Sequence, residues 1–88
     1  MTTITYSRDA AKSLRRMPRN RAEQITAKIQ QYADDPESLA ANVIYLQGRN
    51  GYRLRVGDWR VLFDRIERET ETEIAIRDIL PRNEATYR

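Results

Sequence analysis

The first third of the chain shows two different hydrophobic rhythms. Residues 3–6, TITY, alternate over a short run, which predicts a first β-strand. Two stretches follow in which apolar residues recur every three or four positions along one helical face. These positions are Ala10, Leu14 and Met17 in the first stretch, and Ala22, Ile25, Ile29 and Tyr32 in the second. The spacing predicts two amphipathic helices that each bury one face.

Local signals set the bounds of these helices. Ser7 can cap a helix that begins at Arg8, because its hydroxyl can accept a hydrogen bond from an early N–H group. Pro18 either stops this helix or occupies the first turn of the next one. The sequence DDP at 34–36 ends the second helix. The connection between the helices is therefore very short, and we expect a helical hairpin.

The middle of the chain gives a weaker signal. Residues 42–46, NVIYL, fit either a short strand or a packed loop, and GRNG at 48–51 has the composition of a turn.

The second half of the chain alternates with a period of two. YRLRV at 52–56 and WRVLFDRI at 59–66 flank Gly57-Asp58, and a glycine in first position suits a type II′ hairpin turn. RETE at 68–71 predicts a second turn, and EIAIRDIL at 73–80 a third strand that Pro81 ends. The order of elements predicts one α+β domain over residues 1–88. In it an N-terminal strand precedes a two-helix hairpin that packs on one face of a twisted, mostly antiparallel sheet.

The two-residue turn predicts the register of the hairpin. Val56 pairs with Trp59, Arg55 faces Arg60, and Arg53 faces Leu62. One face then carries the core residues Tyr52, Leu54, Val56, Trp59, Val61 and Phe63, and the other carries Arg53, Arg55, Arg60 and Asp64. A second turn centred on Glu69 and Thr70 pairs Phe63 with Ile76 and Arg77 with Leu62, which adds Arg77 to the arginine face.

The charges are unusual in kind and in distribution. Of the 16 basic residues, 14 are arginine, and the net charge is +3. Residues 1–33 hold seven basic and two acidic side chains, whereas residues 34–88 hold nine basic and eleven acidic ones. Arginine binds phosphate and carboxylate groups with a planar fork of donors. The composition fits a nucleic acid or an acidic partner, and equally a solvated arginine-rich surface.

Several function classes are excluded or disfavoured. The chain has neither cysteine nor histidine, which removes disulfides, thiolate metal sites and the commonest general base. No apolar run approaches the roughly 20 residues that span a bilayer. The start, MTTITYSRD, has no apolar signal-peptide core. We therefore expect a cytoplasmic protein without a membrane partner, a metal or a cofactor.

Two arginines that face each other on a sheet destabilise it by up to roughly 1 kcal/mol. A bound anion would remove this penalty, so the arginine face predicts an anion platform that suits a phosphodiester backbone. The alternative is a solvated face with Asp58 and Asp64 as local partners. The tail could bring Arg82 and Tyr87, with Glu84 as a further acid or base, to the edge of this face. Equally, Tyr87 could belong to a frayed terminus.

At these residues the sequence resembles the RelE/ParE superfamily of bacterial toxins. The likeness spans nearly the whole chain and lies in AAKSLRRMP, in LQGRNGYRLRVGDWRVLF and in IAIRDILPRNEATYR. The block YRLRVGDWRVLF is its most specific part and resembles the RelE branch most.

The resemblance implies a toxin that enters the ribosomal A site and cuts mRNA by attack of a 2′-hydroxyl on the adjacent phosphate, without a metal. It implies catalytic roles for three residues. Arg60 would neutralise the scissile phosphate, Arg82 would steady the leaving or attacking oxygen, and Tyr87 would act as general base or orient the hydroxyl. The RNA backbone would be bound by Arg53, Arg55, Arg77 and Arg49. The helical hairpin would contact the ribosome or the antitoxin through Arg15, Arg16, Arg19 and Arg21.

The resemblance also implies partners and an alternative. The partner would be a small acidic antitoxin similar to RelB. The ParE branch has the same fold but acts on DNA gyrase and lacks the nuclease residues. Several relatives have lysines at the positions of Arg53 and Arg55, and the spacing from Arg82 to Tyr87 varies in the family. The roles of Arg53 and Arg55 are therefore electrostatic ones here.

Overall fold

The structure, a computed structural model, describes residues 1–46 and 51–85, with side chains described as far as Asn83. The elements are strand β1 (Thr2–Tyr6), helices α1 (Arg8–Arg16) and α2 (Arg19–Asp34), a 3₁₀ helix (Pro36–Asn42), strands β2 (Val43–Tyr45), β3 (Tyr52–Val56), β4 (Trp59–Glu67) and β5 (Thr72–Pro81), and the short helix α3 (Arg82–Ala85). Among the described residues, none of the helices is long and apolar enough to cross a bilayer.

The strands form one five-stranded sheet in the order β1-β5-β4-β3-β2. β1 runs parallel to β5, and the other neighbouring strands are antiparallel. The α+β architecture and the mostly antiparallel sheet are therefore confirmed. Residues 42–46, for which the sequence left two readings open, contain the short strand β2 at one edge of the sheet.

The helical hairpin forms as its capping signals predict. The Ser7 side chain accepts a hydrogen bond from the Ala10 N–H at 3.0 Å, and its hydroxyl donates to the Arg77 carbonyl, which ties the start of α1 to β5. Pro18 occupies the N-cap position of α2 rather than its first turn. The predicted apolar faces are confirmed, because Ala10, Met17, Ile25, Ile29 and Tyr32 are buried, and Leu14 and Ala22 pack against the core.

The core lies between the helices and one face of the sheet. Its largest fully buried side chains are Phe63, Ile25, Ile29, Leu54, Ile74, Ile79 and Val61. The predicted core face of the hairpin is confirmed, because Leu54, Val61 and Phe63 are buried and Tyr52, Val56 and Trp59 pack against them. We call the opposite face of the sheet, which carries the arginines, the open face.

The hairpin of β3 and β4 has the predicted register. Val56 pairs with Trp59, Arg55 with Arg60, Leu54 with Val61 and Arg53 with Leu62. Gly57 has a φ of +58°, and no residue other than glycine has a positive φ among the described residues. This combination at Gly57-Asp58 is the one that a type II′ turn requires. The tight turn thus fixes which side chains of both strands reach the open face.

The register of β4 and β5 is where the sequence-based prediction is wrong. Phe63 pairs with Ile76 as predicted, but the register shifts between Leu62 and Phe63, so that Leu62 faces Asp78 and not Arg77. The extra residue forms a β-bulge, which inserts one residue into β5. Beyond the bulge, Ile79 pairs with Val61 and is 1% exposed. The bulge therefore keeps an isoleucine in the core that an unbroken ladder would turn to the open face.

Candidate functional site

The site begins with two arginines that face each other across the hairpin. Arg55 on β3 pairs directly with Arg60 on β4, and Arg53 lies two residues along β3 on the same face. The side chains of adjacent residues in a strand point to opposite faces, so the burial of Leu54 and Val61 directs these arginines to the open face. The hairpin therefore concentrates three positive charges beside its own turn.

The end of β5 brings a fourth arginine to this end of the sheet. Because the register has shifted by one residue, Trp59 pairs with Pro81, and the next residue, Arg82, lies beside the hairpin turn. The backbone N–H of Arg82 donates a 2.8 Å hydrogen bond to the carbonyl of Asp58. Arg82 begins α3 immediately after β5, so a strand end and a turn fix its backbone together. We call Arg53, Arg55, Arg60 and Arg82 the arginine cluster.

Arg60 lies at the centre of this cluster. Its guanidinium Nη1 donates hydrogen bonds to the carbonyls of Gly57 at 2.8 Å and of Trp59 at 2.9 Å, which hold it above the turn. Partial burial lowers the pKa of Arg60 most, the positive charges of Arg82, Arg53 and Arg55 lower it further, and Asp58 opposes the shift. A lowered pKa in a cationic group means that its charged form is disfavoured there, and a bound anion would reverse this effect.

The carboxylates near the open face do not neutralise the centre of the cluster. Among the side chains that the structure describes, neither Arg55 nor Arg60 forms an ion pair with a carboxylate. Asp58 acts on Arg60 only as a nearby charge. Within the described part of the chain, the two central guanidinium groups therefore have no carboxylate partner.

Arg77 differs from the other arginines of the open face. It is exposed, but its Nε lies 3.3 Å from the Asp64 carboxylate, so its charge is balanced locally. The fit around this pair is tight. A β-carbon on Gly51, whose φ is +134°, would lie 2.5 Å from Arg77 Nη2 and 3.0 Å from the Phe63 carbonyl oxygen. The solvated-face alternative, with Asp64 as a local partner, thus describes Arg77.

The remaining predicted site residues lie elsewhere. Arg15, Arg16, Arg19 and Arg21 are all exposed on the helical hairpin, and Arg19 makes a solvent-exposed ion pair with Glu23. Arg16 also lines a cleft between α1 and the end of β5. Arg49 and Tyr87 lie outside the described residues, as does the side chain of Glu84.

Two features of the structure, the bulge and the cleft, were not predicted from the sequence. The bulge had a visible signal, since apolar positions 74 and 76 are followed by 79 and not by 78. The cleft beside α1 had none, because its walls come from both halves of the chain. No group of three or more acidic side chains within the described residues could hold a metal ion.

Comparison with known proteins places the chain in a family. The family described as the ParE toxin of the type II toxin–antitoxin system parDE matches residues 4–86. The chain belongs to this family. The expected membership of the RelE/ParE superfamily is thereby confirmed, and the protein is a toxin of a type II toxin–antitoxin module. Comparison with curated protein sequences gives no significant match.

Solved structures confirm the fold. A chain of the archaeal RelE–RelB complex from Pyrococcus horikoshii OT3 aligns with a TM-score of 0.72 and 22% identity, covering 92% of this chain and 94% of that one. A chain of the RelB–RelE complex from Methanococcus jannaschii aligns at 0.67 and 21%, covering 93% and 94%. One from the intact E. coli RelBE complex aligns at 0.66 and 20%, covering 88% and 92%. At these sequence identities, the similarity to the solved structures shows a shared fold.

Proposed function

We propose that this toxin is a ribosome-dependent mRNA endonuclease, which acts in the cytoplasm without a metal or a cofactor. The observation that carries the proposal is the convergence of Arg53, Arg55, Arg60 and Arg82 at one end of the open face. Negative charge develops on the phosphate oxygens in the transition state, and hydrogen-bond donors that are already in place stabilise it best. Arg60, which two carbonyls hold and three positive charges surround, is such a donor.

The reaction we propose is attack of a 2′-hydroxyl on the adjacent phosphate. The new bond joins O2′ to phosphorus, and the bond from phosphorus to the 5′-oxygen of the next nucleotide breaks. Arg60 binds the phosphate oxygens, Arg82 steadies the leaving or attacking oxygen, and Arg53 and Arg55 hold the RNA backbone. Tyr87 acts as general base or orients the hydroxyl. Because Asp64 balances its charge, Arg77 contributes less. Arg49 adds a further backbone contact.

The proposal is tested with purified ribosomes programmed with a defined mRNA. We expect cleavage in the A-site codon, with a 2′,3′-cyclic phosphate on the upstream fragment and a 5′-hydroxyl on the downstream one. Free mRNA should be cut poorly, because few groups of the toxin can orient it. Fragments with a 5′-phosphate, or intact mRNA at stoichiometric toxin, would contradict the proposed chemistry.

The second candidate is a toxin that binds DNA gyrase and cuts nothing. The matched family favours it, since its name is that of the ParE branch. The similarity to solved RelE chains and the arginine cluster favour the nuclease. A gyrase supercoiling assay on the same preparation separates the two. Inhibition of supercoiling with intact mRNA on ribosomes would establish the second candidate and overturn the first.

The role of Tyr87 can be tested by removing only its hydroxyl. We expect Tyr87→Phe to slow single-turnover cleavage on ribosomes by about 100-fold or more, because a positioned general base contributes a factor of this size. Tyr45→Phe is the matched control, since Tyr45 is exposed on β2 at the sheet edge and belongs to no proposed site. Cleavage by Tyr87→Phe at the wild-type rate would show that the Tyr87 hydroxyl takes no part in proton transfer.

Charge should govern recognition of the antitoxin that we propose as partner. We expect a small acidic, RelB-like protein whose flexible segment orders on binding. Its association rate should fall steeply as salt rises, because screening removes long-range attraction. The measurement is stopped-flow association from low to high salt for wild type and for a variant with glutamine at positions 15, 16, 19 and 21.

The outcomes of this experiment separate the two basic surfaces. A salt-independent rate would mean that charge does not guide the antitoxin. If the quadruple variant binds antitoxin normally but no longer acts on ribosomes, the helical hairpin contacts the ribosome and the open face contacts the antitoxin.

A further inference from the structure

A cleft of about 420 Å³ lies between α1 and the ends of β4 and β5. Its volume is within the range of small-ligand sites. Trp59, the chain's single tryptophan, forms part of its wall together with Pro81. Both residues also belong to the end of the sheet that carries the arginine cluster.

The cleft and the arginine cluster lie on opposite faces of the sheet, at the same ends of β4 and β5. Trp59 and Arg60 are neighbours in β4 and point to opposite faces, as adjacent residues in a strand do. Trp59 pairs with Pro81, which Arg82 follows directly. A nucleic acid strand bound at the cluster would need only to pass the rim of the sheet to place a neighbouring base in the cleft.

The cleft is lined by two cations and two carboxylates. Lys12 and Arg16 lie one turn apart on α1 and are exposed, whereas Asp78 is half-buried. Asp78 Oδ1 accepts hydrogen bonds from the Ile79 N–H at 2.8 Å and from the Ser13 hydroxyl at 3.4 Å. These bonds fix the carboxylate in the wall. Asp9 adds a second carboxylate among the lining residues.

This arrangement discriminates between ligands. Asp78 and Asp9 offset the charges of Lys12 and Arg16 in the lining, so the cleft has no net positive charge that would favour a phosphate or an acidic peptide. A neutral nucleobase would instead find an indole to stack on, and its N–H groups would find a carboxylate acceptor. The cations of α1 could bind the flanking phosphates.

We propose that this cleft, lined by Trp59, Asp78, Lys12 and Arg16, binds an unpaired purine base of RNA, guanine before adenine. Guanine is favoured because its Watson–Crick edge carries adjacent N–H donors, which a carboxylate accepts. The inference rests on RNA as the toxin's target, but it assigns a second binding site on the other side of the sheet from the proposed cleavage centre.

The test uses binding alone and no ribosomes. Six-nucleotide 2′-O-methyl RNAs cannot be cut by attack of a 2′-hydroxyl, so binding is measured without turnover. Three are compared at low salt: all-uridine, and the same with one guanine or one adenine. We expect guanine to quench Trp59 fluorescence and to bind about 10-fold more tightly than all-uridine, as one base stack predicts, with adenine in between.

Three variants assign this preference to the cleft, with labelled RNA and anisotropy as the readout. Trp59→Leu should bind the guanine hexamer no better than all-uridine. Asp78→Asn should remove the preference for guanine over adenine, and it retains an oxygen that can accept from the Ile79 N–H. Lys12→Gln should weaken all purine hexamers, whereas Lys28→Gln, on α2 and outside the cleft, should not.

Equal binding of the three hexamers, a purine preference that survives Trp59→Leu, or a preference for guanine over adenine that survives Asp78→Asn would overturn the inference. If Trp59→Leu does not fold, Asp78→Asn decides. Purine binding in the cleft by a toxin that cuts nothing on ribosomes would overturn the proposed nuclease function and leave the base site standing. Cleavage on ribosomes without any purine preference in binding would support the proposed nuclease function and overturn the base site.

Discussion

Arg60→Ala is expected to slow single-turnover cleavage of ribosome-bound mRNA by about 100- to 1000-fold. Loss of one positioned donor to a developing oxyanion has an effect of this size, roughly 3–4 kcal/mol of transition-state stabilisation. We expect Arg82→Ala to have a similar effect, because its position beside Asp58 places it in the same cluster. The rate is measured with toxin in excess over ribosomes, so that product release does not enter.

Arg77→Ala is the matched control for these two variants. It removes the same charge from the same face of the sheet, but that charge already has Asp64 as a partner 3.3 Å away. Solvent-exposed ion pairs contribute little, so we expect less than about a tenfold change in cleavage and little change in stability. If Arg77→Ala and Arg60→Ala lose activity equally, the cleavage rate reports the total charge of the face and not a positioned centre.

Stability separates a role of Arg60 in the reaction from a role in folding. Its pKa is lowered because burial and three positive charges disfavour the protonated form in the fold. For a base with a lowered pKa this penalty exists at all pH values below that pKa, which includes neutral pH. Removing the guanidinium also removes the repulsion, and its loss from the open face leaves the core intact. We therefore expect the thermal midpoint of Arg60→Ala to stay close to that of wild type.

The hairpin of β3 and β4 could be predicted from sequence because its determinants are local. A two-residue loop with glycine in first position permits one register, and the alternation of apolar residues agrees with that register. The opposition of Arg55 and Arg60 follows from these two facts alone. The helices could also be predicted, since Ser7, Pro18 and the apolar spacing mark their ends and their buried faces.

The position of Arg82 could not be predicted in the same way, because it depends on an irregularity. Alternation of Ile74 and Ile76 fits a regular ladder, and the extra residue appears only when Ile79 is also required to face the core. The sequence named Asp64 only as a local partner of the arginine face as a whole, and its pairing with Arg77 at 3.3 Å is seen only in the structure. Long-range packing, which a single sequence does not display, decides between a regular and a bulged strand.

The bulge itself can be tested through the stability of two isoleucine variants. Ile79→Ala should reduce the free energy of unfolding by about 2–5 kcal/mol, the range for a buried isoleucine replaced by alanine. For 88 residues a total stability of roughly 4–13 kcal/mol is expected, so the loss is a large part of it. Ile66→Ala deletes the same atoms from the same sheet, but Ile66 is 38% exposed, and the loss should be about 1 kcal/mol or less.

Urea unfolding of both variants measures the difference. In a regular ladder Ile79 would face Arg60 on the open face and lie outside the core between helices and sheet, so its deletion would cost less than that of a core residue. Equal losses would therefore favour the regular ladder, in which Arg82 would fall opposite Gly57 and not opposite Asp58. A large loss confined to Ile79→Ala supports the bulged register, on which both the arginine cluster and the pairing of Trp59 with Pro81 depend. A single inserted residue in β5 thus links the packing of the core to the assembly of the site on the opposite face.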